Sequence, residues 1–280
     1  MLLGGSLAIT SDFVDSTRRG VENGISYPEE EIPGVGGVCV YISAAVGGMM
    51  SPLRVEVTDG SGESYSENNF EKSEALGNVM AELALDALSE MEVVDAPSLS
   101  FASHEFDVPI ENILFKAAFQ SGMFDRSLSN YEDGEILDPD IPPLVKTQIN
   151  LMDVGTVRMQ TVPGELLPEL AIGGYTDPAQ PHTELETMIS EDNPNPPDLS
   201  QAPEGPYLKE LMGKKYNWII GLGNDELGYF VPSYNYKLSE TSPFFAEATG
   251  DHYEETNSLG PSAYPIIESE IHRMLNWVNQ

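Results

Sequence analysis

Trp218-Ile219-Ile220-Gly221-Leu222-Gly223-Asn224-Asp225-Glu226-Leu227-Gly228-Tyr229-Phe230-Val231-Pro232 is the stretch whose reading decides the fold. An apolar strand, placed at 216–222, runs into a segment punctuated by glycine and rich in polar groups. A short helix is expected before it, near 205–213. A helix over 261–278 is expected after it, with Ile266, Ile267, Ile271, Met274, Leu275 and Val278 on one stripe. A strand set between helices is the alternating pattern of an α/β protein.

The pattern continues toward the N-terminus. Gln148–Val162 predicts a strand pair turning at Asp153-Val154-Gly155, and Ser98–Val108 predicts another strand. A helix over roughly 110–122 carries Ile113, Leu114, Ala117 and Ala118. Leu76, Met80, Leu83, Ala87 and Met91 recur at three- and four-residue steps and predict a helix over 69–91. Ser11-Asp12 is a cap for a helix reaching about Asn23, with Gly24 closing it. Residues 37–46 read as a buried strand ending in Gly47-Gly48-Met49-Met50-Ser51-Pro52, and Met1–Ile9 reads as the tail of a strand. Residues 59–69, 125–143 and the proline-rich 173–205 are expected to be loops. The expected fold is α/β, a layered mixed β-sheet core flanked by helices. The even spread of apolar segments predicts one domain over 1–280.

Composition narrows the function. The 280 residues are 40% hydrophobic, enough to bury a core. Acidic residues outnumber basic ones 46 to 13, for a net charge of −33. Such a charge repels nucleic acid and anionic membrane surfaces and draws cations. No run of 18 apolar residues marks a membrane span, and the N-terminus lacks the basic region of a signal peptide. Cys39 is the single cysteine, so no internal disulfide forms, and it is expected to be a small buried hydrophobe.

The residues alone assign no chemistry. None of the four histidines, His104, His182, His252 and His272, pairs with another at metal-ligand spacing. Each reads as structural or exposed. No nucleophile elbow, P-loop or dinucleotide fingerprint occurs. Glu165 reads equally as an ordinary loop carboxylate, Tyr229 as a packed strand tyrosine, Ser51 as turn chemistry and Tyr253 as a core residue. Asp225 and Glu226 read as solvated acids or as groups that orient a ligand.

Three motifs in register carry a resemblance. Gly48-Met49-Met50-Ser51-Pro52, Pro163-Gly164-Glu165 and Gly221-Leu222-Gly223-Asn224 through Tyr229, followed by Tyr253-Glu254, resemble the catalytic domain of the neutral/alkaline non-lysosomal ceramidases over about 9–275. A bacterial branch of that family is the nearer likeness. The resemblance implies a zinc-dependent amide hydrolase acting on a lipid-like or other small amide and exported from the cytoplasm. Glu165 and Tyr229 would be zinc ligands. Zinc would lower the pKa of a bound water to about 7, Tyr253 would stabilise the oxyanion, and Ser51 would orient water or substrate.

The likeness also has departures. Met49-Met50 replaces Asp-Val beside the serine, and Leu227-Gly228 replaces Thr-His before the tyrosine, which changes the wall of the site. The family draws two histidine ligands from sequence ahead of the serine loop, and the 50 residues before Ser51 hold none. The resemblance therefore implies a C-terminal portion of the catalytic domain, inactive by itself. A non-catalytic binding or surface module is the alternative, and a chain that folds poorly alone is a third.

Overall fold

The computed structural model describes residues 9–49, 55–175 and 196–278. Ser51, His182 and the expected N-terminal strand tail lie outside the described residues. Contacts divide the chain into two compact units, one of residues 1–42 and 50–95, the other of 43–49 and 96–280.

The first unit holds α1 (Phe13–Asn23), the hairpin β1 (Gly24–Ser26) and β2 (Glu31–Pro33), the hairpin β3 (Val57–Thr58) and β4 (Ser64–Tyr65), and α2 (Phe70–Ser89). Asp12 caps α1 by accepting from the Phe13 N–H at 2.9 Å, and Gly24 follows its last turn. Asn69 caps α2 through the Lys72 N–H at 2.9 Å. Val21, Ile25, Tyr27 and Ala81 form the core between the helices. The β3–β4 hairpin lies partly in the stretch expected to be loop.

Residues 37–46 correct the expectation of a buried strand. The segment joins no ladder, and Val38 and Val40 are 80% and 73% exposed. Its backbone bonds go elsewhere. The Cys39 N–H donates to the Glu22 carboxylate at 2.7 Å, and the Cys39 carbonyl accepts from Arg18 Nε at 3.0 Å. The Gly221 N–H donates to the Ser43 carbonyl at 3.0 Å. Apolar composition suits a strand, but without a neighbouring strand no sheet forms. Cys39 is half-buried rather than buried.

The second unit contains β5 (Leu99–Pro109), α3 (Ile113–Gln120), β6 (Leu144–Val154), β7 (Val157–Thr161), β8 (Glu165–Leu166), α4 (Pro168–Ile172), α5 (Leu208–Leu211), β9 (Tyr216–Ile220), β10 (Tyr229–Phe230), α6 (Tyr253–Thr256) and α7 (Ala263–Val278). Four strands form a mixed sheet in the order β5-β6-β7-β9, antiparallel except for the parallel pair β7–β9. One face buries Ala102, Leu151 and Ile219 in a core shared with Ile267, Ile271, Met274 and Leu275 of α7. The fold is mixed α/β, as expected. Among the described residues no helix is long and apolar enough to cross a membrane.

At the hairpin end of this sheet Arg158 is buried. Its Nε and Nη2 donate to the two Asp153 oxygens at 2.7 and 2.8 Å, and its Nη1 donates to the Met212 carbonyl at 2.8 Å. These bonds answer the cost of burying a guanidinium. The Arg158 bonds and charge hold the Asp153 carboxyl below its ordinary range, against burial, which opposes them.

Candidate active site

Two sequence motifs far apart in the chain lie side by side in the second unit. β8 pairs in parallel with β10, setting Glu165 opposite Tyr229 and Leu166 opposite Phe230. The Leu227 N–H donates to the Pro163 carbonyl, and the Glu165 N–H to the Gly228 carbonyl, each at 3.0 Å. Glycine permits this approach. A Cβ on Gly164 would stand 2.5 Å from the Gly228 oxygen, and one on Gly228 would stand 2.1 Å from the Asn257 oxygen. Gly228 also has φ +83°, the left-handed region. Leu166 and Phe230 are fully buried in the core. Strand alternation turns their neighbours Glu165 and Tyr229 to the other side, into a cleft.

There the Tyr229 phenol and the Glu165 carboxylate are neighbours, set opposite each other by the strand register. Burial raises the Glu165 pKa, and the neighbouring Tyr229 phenol opposes the rise. The Tyr229 pKa is pushed well up, first by burial and then by the Glu165 charge. Tyr253 opens α6 and packs its ring edge-on to Tyr229, with centroids 5.9 Å apart and planes at 71°. The structure thus brings Glu165, Tyr229 and Tyr253 together. The Gly47 N–H donates to the Leu166 carbonyl at 2.9 Å, and Gly48 lies beside the Glu254 carboxylate. Burial raises the Glu254 pKa too.

The cleft has a volume of about 640 Å³. Phe115, Phe119, Met123, Phe124, Val145 and Leu259 line it together with the polar groups of Asp125, Arg126, Glu165, Glu226, Tyr229, Tyr253 and Asn257. Glu226 accepts from the Gly228 N–H at 2.9 Å. Its pKa is raised by burial and then by the Glu165 and Asp225 charges. The aromatic wall escaped the sequence reading because an apolar stripe on α3 has the same spacing as a core stripe. The signal was the continuation of that stripe past the helix end, into Met123-Phe124.

The 221–228 loop is braced from both sides. Asn224, at φ +74°, donates through Nδ2 to the Gln148 carbonyl at 3.2 Å and to Thr161 Oγ1 at 3.1 Å. Its Oδ1 accepts from Asn150 Nδ2 at 3.1 Å. Asp225 accepts from both Arg126 terminal nitrogens, at 2.7 and 2.6 Å, and from Thr147 Oγ1 at 2.8 Å. Burial would raise the Asp225 pKa, but these bonds outweigh it and lower the value. Asp225 is therefore an anchor of the loop, and Glu226 is the acid that faces the cleft.

Two of the histidines have other partners. His252 is buried with Nδ1 2.8 Å from Glu255 Oε1, and His104 Nε2 is 2.9 Å from Glu270 Oε2. Zinc takes about four ligands, mostly imidazole, thiolate and carboxylate. Among the described residues no three of His, Cys, Asp and Glu cluster as a metal site. The Glu165 carboxylate and Tyr229 phenol are two oxygen donors, and the described residues do not complete a zinc site around them.

No protein-family model matches the chain, and no curated protein matches it in sequence. Among solved structures, neutral ceramidase from Pseudomonas aeruginosa matches with a TM-score of 0.48 and 12% identity. The match covers 97% of this chain and 41% of that one, so the chain spans less than half of its length.

Proposed function

We propose that this chain carries the substrate-binding part of a ceramidase-like hydrolase for amides that bear an extended apolar acyl group. The reading rests on one observation. Glu165 and Tyr229, paired across β8–β10 with Tyr253 against them, line the same cleft as Phe115, Phe119 and Phe124. The acyl chain lies along Phe115, Phe119 and Phe124, where each buried methylene contributes about 0.8 kcal/mol. The amide then reaches Glu165, Tyr229 and Tyr253. Tyr253 donates to the carbonyl oxygen as charge develops on it. Glu165, whose proton affinity is raised by burial, accepts a proton from the attacking water and returns it to the amide nitrogen as the C–N bond breaks and the amine leaves. Tyr229 stands opposite that carboxylate across β8–β10. Ser51, by the resemblance, orients water or substrate.

A zinc ion is part of the ceramidase resemblance, and Glu165 and Tyr229 are the donors this chain would offer it. The set of described donors is incomplete, and no step above is routed through the metal. Export from the cytoplasm is the localisation we assign by the same resemblance. The net charge of −33 fits a cleft that takes a neutral or cationic substrate and not a nucleic acid.

A second reading, a binding module without catalysis, is favoured by that incomplete donor set. One experiment separates the two. The chain is mixed with an N-dodecanoyl aminocoumarin amide, with and without zinc, and both binding and coumarin release are followed. Release above background that falls at least tenfold in Glu165→Gln and Tyr253→Phe supports the hydrolase. Saturable binding without release supports the module. Absence of both defeats the cleft assignment.

A further inference from the structure

The cleft of the second unit holds more negative charge than the proposed hydrolysis uses. Three carboxylates line it, those of Asp125, Glu165 and Glu226. Among the described lining residues Arg126 is the single cation, and its charge is already matched. Both Arg126 terminal nitrogens donate to Asp225, at 2.7 and 2.6 Å, and Nη2 also donates to the Lys146 carbonyl. The three lining carboxylates do not converge as the ligands of one metal ion. Their surplus is a local property of the cleft, where acids of one sign concentrate their field.

Glu226 is the acid placed to act on a ligand. The two residues before it are fixed, Asn224 by Gln148, Asn150 and Thr161, and Asp225 by Arg126 and Thr147. The loop therefore presents Glu226 from a braced backbone. Its Oε1 accepts from the Gly228 N–H at 2.9 Å, and its Oε2 has no hydrogen-bond partner among the described residues. Glu226 and Glu165 feel one another's charge, so the two carboxylates are neighbours, and no basic side chain offsets either.

We infer that Glu226 selects amides whose amine half carries an ammonium group, such as N-acylated short diamines. The inference rests on the acyl-amide reading of this cleft. With the acyl chain along the phenylalanines and the carbonyl at Glu165 and Tyr253, a short chain on the amide nitrogen brings its end within reach of Glu226. Glu226 is exposed. The ammonium can keep part of its water while it meets the free oxygen, so the preference is that of an exposed ion pair. A carboxylate at the same place would meet Glu226 and Asp125 as like charges and be rejected.

The test measures the affinity of the full chain for the dodecanoyl amides of putrescine, butylamine and γ-aminobutyrate. These share the acyl group and are cationic, neutral and anionic at neutral pH. The putrescine amide should bind roughly fivefold tighter than the butylamine amide, and the γ-aminobutyrate amide should bind more weakly than either. Added salt should narrow the spread. Glu226→Gln keeps an oxygen for the Gly228 N–H and should cut the cationic advantage to roughly twofold or less. Glu240→Gln removes the same charge from an exposed position outside the cleft and should leave the advantage intact. Equal affinities for the cationic and neutral amides would overturn the inference, as would an advantage that survives Glu226→Gln. So would equal loss in both variants, which would trace the preference to overall charge. The butylamine amide reads the acyl-amide cleft by itself. Saturable binding of all three without preference overturns only the role of Glu226, whereas binding of none overturns the acyl-amide reading and this inference with it.

Discussion

Replacing Gly228 by alanine should disassemble the Glu165–Tyr229 pair, and the size of the effect follows from two contributions. The first is conformational. Gly228 has φ +83°, where an L-residue costs about 1–2 kcal/mol. The second is contact. The new Cβ would stand 2.1 Å from the Asn257 oxygen and 3.1 Å from its carbon, both backbone atoms. An ordinary carbon–oxygen contact begins near about 3.3 Å, so the 257–258 backbone and β10 must separate by roughly 1 Å. That movement strains the Tyr229 N–H bond to the Asn257 carbonyl, now 3.2 Å, at a cost of about 1 kcal/mol. The sum is about 2–3 kcal/mol, or roughly 3–5 °C in melting temperature for a chain of this size. Gly122→Ala is the control. It has φ +70° but open space around its Cβ, so it carries only the conformational part. Melting curves and affinity for an N-dodecanoyl amide are measured for both variants. Gly228→Ala should melt below Gly122→Ala and lose binding at least tenfold, while Gly122→Ala keeps it. Equal melting temperatures with unchanged binding would refute the assignment of Gly228 to the close approach that builds the cleft.

Other outcomes follow from the same structure. Asp153→Ala leaves the buried Arg158 guanidinium without its bidentate partner and should cost about 3–5 kcal/mol in chemical denaturation. Phe230→Ala removes a fully buried ring beneath the Tyr229 strand and should cost about 3–5 kcal/mol on the same denaturation curve. The pH dependence of melting should peak on the acidic side of neutrality. Glu165, Glu169, Glu226 and Glu254 have folded pKa values raised above the ordinary 4.5, so the folded chain binds more protons and gains stability as pH falls toward those values. Asp153 and Asp225 have values lowered below 3.8, so their contribution is present above that pH and is lost as pH falls through the lowered values. A melting temperature highest at pH 8 would contradict the sign for the glutamates, and one that keeps rising as pH falls below 3.8 would contradict the sign for the aspartates.

Elements with their own local signals were legible in the sequence. Asp12 and Gly24 bracket α1, Asn69 starts α2, and the turn after Asp153-Val154 joins β6 to β7 through local hydrogen-bonding and turn preferences. Elements defined by a distant partner were not. Val38 to Val46 has strand composition, yet its hydrogen bonds go to Arg18, Glu22 and the 221 loop, which no periodicity reveals. The β3–β4 hairpin is too short to show alternation. Within the site, Glu165 and Tyr229 were singled out by motif resemblance, and their register across β8–β10 is a tertiary fact that neither segment states locally. Glu226 was open between solvent and site because its neighbour Asp225 is equally acidic; only the Arg126 and Thr147 bonds assign their different roles.

The most direct test of the central claim is the affinity of the chain for N-acyl amides as a function of acyl length. If the acyl group lies along Phe115, Phe119 and Phe124, each added methylene should strengthen binding by about 0.8 kcal/mol, roughly fourfold, until the cleft of about 640 Å³ is filled. Phe119→Ala should flatten that slope, while Glu165→Gln should lower affinity by a similar factor at every length. An affinity independent of chain length, or a slope untouched by Phe119→Ala, would contradict the assignment of this cleft to an acyl amide.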